Sequence, residues 1–477
     1  MISITAKNFI DGGWQDPVDC FESLDPADVR ETVGTAPRST ADDIDRAVSV
    51  ATRTFARWRT VGAPKRADAI DSFAQVLKRY GKEVAKYLCR ESGKLQAEAT
   101  AEVQDALAIA QCAAGSARSP RGLVGVPDSP VDDVHAWLEP HGVVACLTPG
   151  YSPVALPLRH ILPALAVGDT VVWKPSEHTP VCAQWLSRLF LEAGFLEGAL
   201  NIVHGAGETV GAALSRHPGV SAVVFCGNRE TAVDIQTALA GDLSRPLVLE
   251  PSAVSAAIVC DDANLETAAV AIASAALRNC GQTPDSVDRV FVAKSVQDDF
   301  VMRLSSKLEG LEVGPGLEPN VQLGPLVSAD AHERYVDLRA SCRGEVLYDG
   351  FAAIEPLVEH GWFAAPLVVR LSHSEYMAGP PDESRVPRIL IVPVDDEAQA
   401  TEAFNASAAR SSLAIFTRNR NAERDVRERA AFKRGYVNLS TVCSQTQILT
   451  AGTAGSFGRG QGLTRMKTFT VGQTTAD

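Results

Sequence analysis

From Gly142 onward the chain alternates short apolar runs with helical stretches, and this rhythm limits its fold more than any other feature. VVACLT (143–148) reads as a buried strand, Pro153 to Ala166 as a helix, TVVWK (170–174) as a strand, and Pro180 to Ala193 as a helix closed by Gly194. NIV (201–203), a helix after Gly207, SAVVF (221–225), a helix after Arg229 and PLVLE (246–250) continue the series. Strands separated by helices need right-handed crossovers and build a mostly parallel sheet. Nucleotide-binding folds have this form. A second alternation runs through AAIVC, a helix from Asn264 to Asn279, RVFVA (289–293) and a helix to about Leu308.

Before this alternation the pattern is a short strand pair followed by helices. Thr40 and Asp43 make a capping-box-like start to a helix over residues 40 to 58, with Ile44, Ala47, Val48, Ala51, Phe55 and Trp58 at helical spacing. A second helix is expected after Pro64, and a third from about Glu83 to the glycine stop at Ser92-Gly93. An Ala-rich helix then runs to about Ala117. Residues 118 to 136 are rich in Pro, Gly and Asp and break the helical pattern. The Gly- and Thr-rich end, Thr450 to Asp477, reads as a strand-bearing tail.

The chain's 477 residues suggest about three domains. A net charge of -13, with no basic cluster to offset it, argues against nucleic acid or an anionic membrane as partner. The ten cysteines are scattered and form no CxxC, so no metal site is expected, and buried free thiols in a reducing cytoplasm are the simplest reading. The N-terminus has no apolar signal region, and no apolar run reaches the length of a membrane span.

Four groups of residues could carry chemistry. Gly205, Gly207 and Gly211 follow the strand NIV and open a helix, where backbone N–H groups can meet a phosphate; a plain tight turn is the alternative. Lys174 and Glu177 follow TVVWK, at a strand end where parallel sheets bind ligands, and they suit ribose hydroxyls; a solvated charge pair is the alternative. Glu250 ends PLVLE, where burial would raise its pKa and make it a general base; a strand-end glutamate paired with a cation is the other reading. Asn279-Cys280-Gly281-Gln282 closes a helix and, taken alone, reads as a polar cap beside a packed thiol.

In this order and spacing the pieces resemble the aldehyde dehydrogenase superfamily over nearly the whole chain. NFIDGGW, ESGK (91–94), EPHGVV (139–144), ILPALAVGDTVVWKPSEHTP (161–180), GALNIVHGAGETVG (198–211), VGPGLEP (313–319) and LGPLVS (323–328) carry the likeness. It implies an α/β fold with a Rossmann-like parallel-sheet cofactor domain (1–117 and 137–250), an α/β catalytic-type domain (251–449) and a small β oligomerisation bridge (118–136 and 450–477). It also implies a dimer or tetramer, or a mixed oligomer with a paralogue. The cofactor expected is NAD, with NADP the alternative, held by Lys174, Glu177, Gly205, Gly207, Gly211, Gly227, Asn228 and Glu383. The ligand expected is a small aldehyde.

The likeness fails where the chemistry should be. The family's NxGQxC aligns on Asn279 to Pro284, fixed in register by Arg289, so Pro284 stands at the nucleophile and brings neither a thiol nor an N–H. TPWNFP reads Thr148-Pro149-Gly150-Tyr151-Ser152-Pro153, so Tyr151 replaces the oxyanion asparagine. ELGG reads Glu250-Pro251-Ser252-Ala253, FTGS reads Phe225-Cys226-Gly227-Asn228, and EEIFGP reads Asp382-Glu383-Ser384-Arg385-Val386-Pro387. Loss of one oxyanion donor costs about 2.7–4 kcal/mol of barrier; here two donors and the nucleophile are missing. The expectation is a catalytically impaired, cofactor-holding protein. One alternative is an oxidoreductase that uses Cys443, or Cys280, or thiol-free chemistry at Glu250 and Tyr151. The other is a non-enzymatic scaffold or regulatory subunit.

Overall fold

The computed structural model describes residues 3–119, 122–125, 132–379, 381, 384–407, 410–442 and 464–472. Its centre is a seven-stranded sheet whose parallel core runs Leu247–Pro251, Ala222–Gly227, Val143–Leu147, Thr170–Lys174 and Leu200–Ile202. Asn8–Ile10 and Gly13–Gln15 extend it antiparallel at one edge. The chain builds outward from Val143–Leu147 in one direction, then crosses over to add Ala222–Gly227 on the other side. The carboxyl ends of those two neighbouring strands therefore mark a topological switch point, where open α/β sheets bind ligands.

Apolar runs explain the burial. All five residues of Val143–Leu147 and all five of Thr170–Lys174 are buried, because helices cover both faces of the sheet. One face packs on the helices Ala63–Ser92, Gln96–Ala117, Ala155–Val167 and Pro180–Ala193. The other packs on Ala41–Trp58, whose Thr40–Asp43 capping box forms as the sequence predicts. The second and third expected helices are one continuous helix, Ala63–Ser92. Gly81 lies inside it and does not break it. A Cβ at Gly81 would come within 3.1 Å of Val103, so the glycine lets the next helix approach.

A second seven-stranded sheet runs Glu345–Asp349, Leu367–Arg370, Arg388–Val394, Val287–Ala293, Val254–Val259, Arg410–Phe416 and Arg434–Val437, parallel except at its first pair. The chain leaves the first sheet at Pro251 and enters the second at Val254, so the carboxyl end of the first adjoins the amino end of the second. The tail strand Thr464–Gly472 pairs antiparallel with Asp132–Pro140, which also pairs with Gly122–Gly125. Cys20–Asp25, Asp28–Pro37 and Ile4–Thr5 form a further small sheet, so the N-terminal region holds more strands than the short pair that the sequence predicts. Among the described residues no helix is long and apolar enough to cross a membrane.

Candidate active site

Glu250 sits at the carboxyl end of its strand, opposite Cys226 in the neighbouring strand. The helix Ala155–Val167 brings Arg159 and His160 to the same place. Arg159 forms a direct ion pair with the Glu250 carboxylate. The carboxylate oxygen Oε2 also lies 3.6 Å from His160 Nε2 and 3.6 Å from Cys226 Sγ. Burial pushes the Glu250 carboxyl up, but Arg159 first, and then His160 and the Cys226 thiol, more than reverse this and hold it well below the usual range. The raised pKa expected from the sequence is thereby corrected. An anion facing a fixed guanidinium is a weak base.

Tyr151 lies in the same neighbourhood, half-buried, with the Arg385 guanidinium 5.8 Å from its ring centre. Burial, aided by the charges of Cys226 and Glu250, lifts its phenol above its usual range despite Arg385 and Arg159. Its backbone carbonyl accepts a 3.1 Å hydrogen bond from the Asn279 side-chain amide. Asn279 thus ties the 148–153 loop to the loop that carries Pro284.

That second loop is built on unusual backbone. The helix expected to reach Asn279 ends at Leu277. Asn279 (φ 49°), Cys280 (φ 53°) and Gly281 (φ 75°) then turn left-handed in succession. Such φ values cost energy for residues with a Cβ. Fixed partners hold them: the Asn279 amide donates to Glu98 at 2.7 Å, and Gln282 Nε2 returns to the Asn279 carbonyl at 2.9 Å. Cys280 packs in an apolar cluster with Leu326, Tyr335, Ile354 and Phe363, and burial raises its thiol pKa. This is the packed thiol of the plainer reading. Pro284 follows, and its carbonyl accepts from Ser255 Oγ at 2.8 Å. Asp285 beside it receives Ser412 Oγ at 2.9 Å and Arg434 Nη2 at 2.7 Å. Cys443 and Glu383 lie outside the described residues.

On the cofactor side the structure brings three sequence elements together. Lys174 Nζ is 2.7 Å from Glu177 Oε2, and the Gly207 amide donates to Glu177 Oε1 at 3.3 Å. Lys174 therefore outweighs burial and lowers Glu177 to about 2. Gly205 has φ 138°, which turns the chain from the strand into the helical segment that opens at Gly207. A Cβ on Gly207 would face both Lys174 Nζ and Glu177 Oε1 at 3.9 Å, and one on Gly211 would come within 3.1 Å of Leu147. The glycines keep this cradle open, and a neighbouring carboxylate and ammonium suit the hydroxyls of an adenosine ribose. The Gly207 amide is committed to Glu177, so it is not free for a phosphate as the sequence suggested. Asn228 differs likewise: its side chain accepts from the Thr231 amide at 2.8 Å and caps the helix Arg229–Ala238. Gly227 pairs with Pro251 beside it.

Sequence reasoning singled out Glu250 and missed Arg159, His160 and Cys226 as its partners. One signal existed: LRHILPALAV carries an arginine and a histidine in an otherwise apolar helix.

The comparisons with known proteins agree with this geometry. The family model described as "Aldehyde dehydrogenase family" matches residues 14–475. The α-ketoglutaric semialdehyde dehydrogenase of Bacillus subtilis is 32% identical over 87% of this chain and 86% of its own length. Malonate-semialdehyde dehydrogenase 2 of Oceanobacillus iheyensis is 32% identical over 88% and 87%. The solved structure of a Thermus 1-pyrroline-5-carboxylate dehydrogenase with bound NAD superposes with a TM-score of 0.91 at 25% identity, covering 99% of this chain and 93% of that one. Sheet order, site placement and these likenesses converge: the chain belongs to the aldehyde dehydrogenase family.

Proposed function

We propose that the chain holds a nicotinamide dinucleotide but does not oxidise aldehydes through an enzyme thioester, and acts as a cofactor-binding regulatory member of its family, in a homo-oligomer or beside an active paralogue. One observation carries this reading. In the loop that should present a nucleophile, Pro284 instead offers only a carbonyl, and that carbonyl is already bonded to Ser255.

When bound, the cofactor supplies a hydride acceptor. The chain's own groups supply its seat: Lys174 and Glu177 for the adenosine ribose, with the Gly205–Gly211 turn leaving room beside them. Glu177 favours NAD, because a carboxylate at the ribose repels a 2′-phosphate. On the reacting side Glu250 is neutralised by Arg159 and ill suited to take a proton from water. A small carboxylate-bearing aldehyde is the ligand class suggested by the relatives' names.

Thermal shift with NAD and NADP tests the proposal. A ligand at 100 times its Kd stabilises the folded state by about 2.7 kcal/mol. A clear rise in Tm with NAD is expected; no rise with either dinucleotide would leave only a scaffold and contradict the cofactor-binding reading.

A further inference from the structure

His160, Cys226 and Glu250 come from a helix and two adjacent strands, yet their ligand-type atoms converge on one point. Cys226 Sγ lies 3.3 Å from His160 Nε2, and each lies 3.6 Å from Glu250 Oε2. Zinc binds nitrogen and carboxylate oxygen at about 2.0–2.2 Å and thiolate sulfur at about 2.3 Å. At tetrahedral angles those bonds place neighbouring ligand atoms on the order of 3.2–3.7 Å apart. All three separations fall in this range without movement of the backbone. The three groups are one imidazole, one thiol and one carboxylate, the mixed set that zinc accepts. Cys226 is buried, while the other two side chains are only 12% and 21% exposed. Little solvent separates the three groups, so their positions are fixed by packing.

We propose that His160, Cys226 and Glu250 form a binding site for a single zinc(II) ion, with the fourth position left to water or a small ligand. The set lies at the carboxyl end of the first sheet, beside the switch point, on the reacting side of the site. Binding would form one sulfur–zinc, one nitrogen–zinc and one oxygen–zinc bond. The Cys226 thiol proton would leave to solvent, with no change of oxidation state. Arg159 is the native occupant of the same carboxylate oxygen, and its side chain is 35% exposed, so it can swing to solvent as the metal enters. Metal and guanidinium then compete for Glu250. None of the three ligands is among the residues assigned to the dinucleotide, so this site and the preceding proposal stand or fall separately.

The experiment is cobalt(II) titration of chelator-treated, full-length protein, followed by a zinc competition and by metal analysis after dialysis. Cobalt reports thiolate ligation through a near-ultraviolet charge-transfer band. The expected result is a band that saturates at one equivalent, is displaced by zinc, and disappears in Cys226→Ser with the loss of one equivalent of bound metal. It should persist in Cys280→Ser, whose thiol lies in a different cluster. Arg159→Gln should tighten cobalt binding on the order of tenfold, a gain that a misfolded variant could not give. No band in the wild type, or an equal band in Cys226→Ser, would overturn the site. Unchanged affinity in Arg159→Gln would overturn the competition for Glu250.

Discussion

Arg159 and Glu250, 91 residues apart in sequence, meet as a direct ion pair at the carboxyl end of the first sheet. The pair decides how Glu250 behaves. Without Arg159 the carboxyl would be governed by burial and rise. Arg159→Gln should therefore raise the Glu250 pKa and destabilise the fold by about 1–3 kcal/mol, less than a fully buried pair because the guanidinium is partly exposed. Adding Glu250→Gln should recover much of that loss. Urea denaturation of the two single variants and the double variant checks the coupling; strictly additive losses would show that the pair does not interact.

Glu91 gives a pH signature. It is fully buried, its carboxylate accepts from Ser23 Oγ at 2.9 Å and from the Val181 and Cys182 amides at 2.7 Å each, and burial lifts it to about 7 in spite of those bonds. Its folded pKa lies above its unfolded value, so between roughly pH 4.5 and 7 the folded state binds more protons. Glu91 thus favours folding below this window, and the contribution is lost as pH rises through it. The difference is on the order of 3 kcal/mol. Glu91→Gln should flatten the fall in Tm between pH 5 and pH 8; an unchanged slope would show that Glu91 does not titrate there.

Restoring the missing chemistry should take two changes. Pro284→Cys returns a thiol and a backbone N–H, but Tyr151 still offers no side-chain amide. The double variant Pro284→Cys/Tyr151→Asn should exceed the single variant by about 10²–10³ in NADH formation. Equal rates would mean that Tyr151 already serves the oxyanion. Stopped-flow absorbance on both proteins decides between them.

Glu177 should set cofactor choice. Its carboxylate is held ionised by Lys174, near the expected ribose. Glu177→Ser should move the NADP-to-NAD affinity ratio toward NADP on the order of tenfold, as removal of one nearby like charge implies. Titration calorimetry with both dinucleotides measures the ratio, and no change would remove Glu177 from the ribose.

Much of the framework was legible because it rests on local pattern. TVVWK and the helix from Pro180 to Ala193 have the expected bounds, since strand burial and a glycine stop are written in the residues themselves. The two helices expected after Pro64 and from about Glu83 are one, because Gly81 between them spaces the neighbouring helix and does not end its own. The left-handed turn at Asn279 and Cys280 was only half signalled, since asparagine tolerates positive φ and cysteine does not favour it; distant partners such as Glu98 impose it. The Arg159–His160–Cys226–Glu250 cluster had only the polar pair in LRHILPALAV to announce it, for a related reason. No spacing in sequence links a helix to two strands, and only the parallel sheet brings them together. Glu250 alone suggested a base, and its partners reversed that electrostatics.

The most direct measurement is NADH formation by the pure wild-type protein with excess NAD and a panel of small aldehydes that includes malonate semialdehyde. A rate indistinguishable from the protein-free control is expected, even when thermal shift shows that NAD is bound. Steady turnover that is abolished by alkylating the protein's thiols would contradict it.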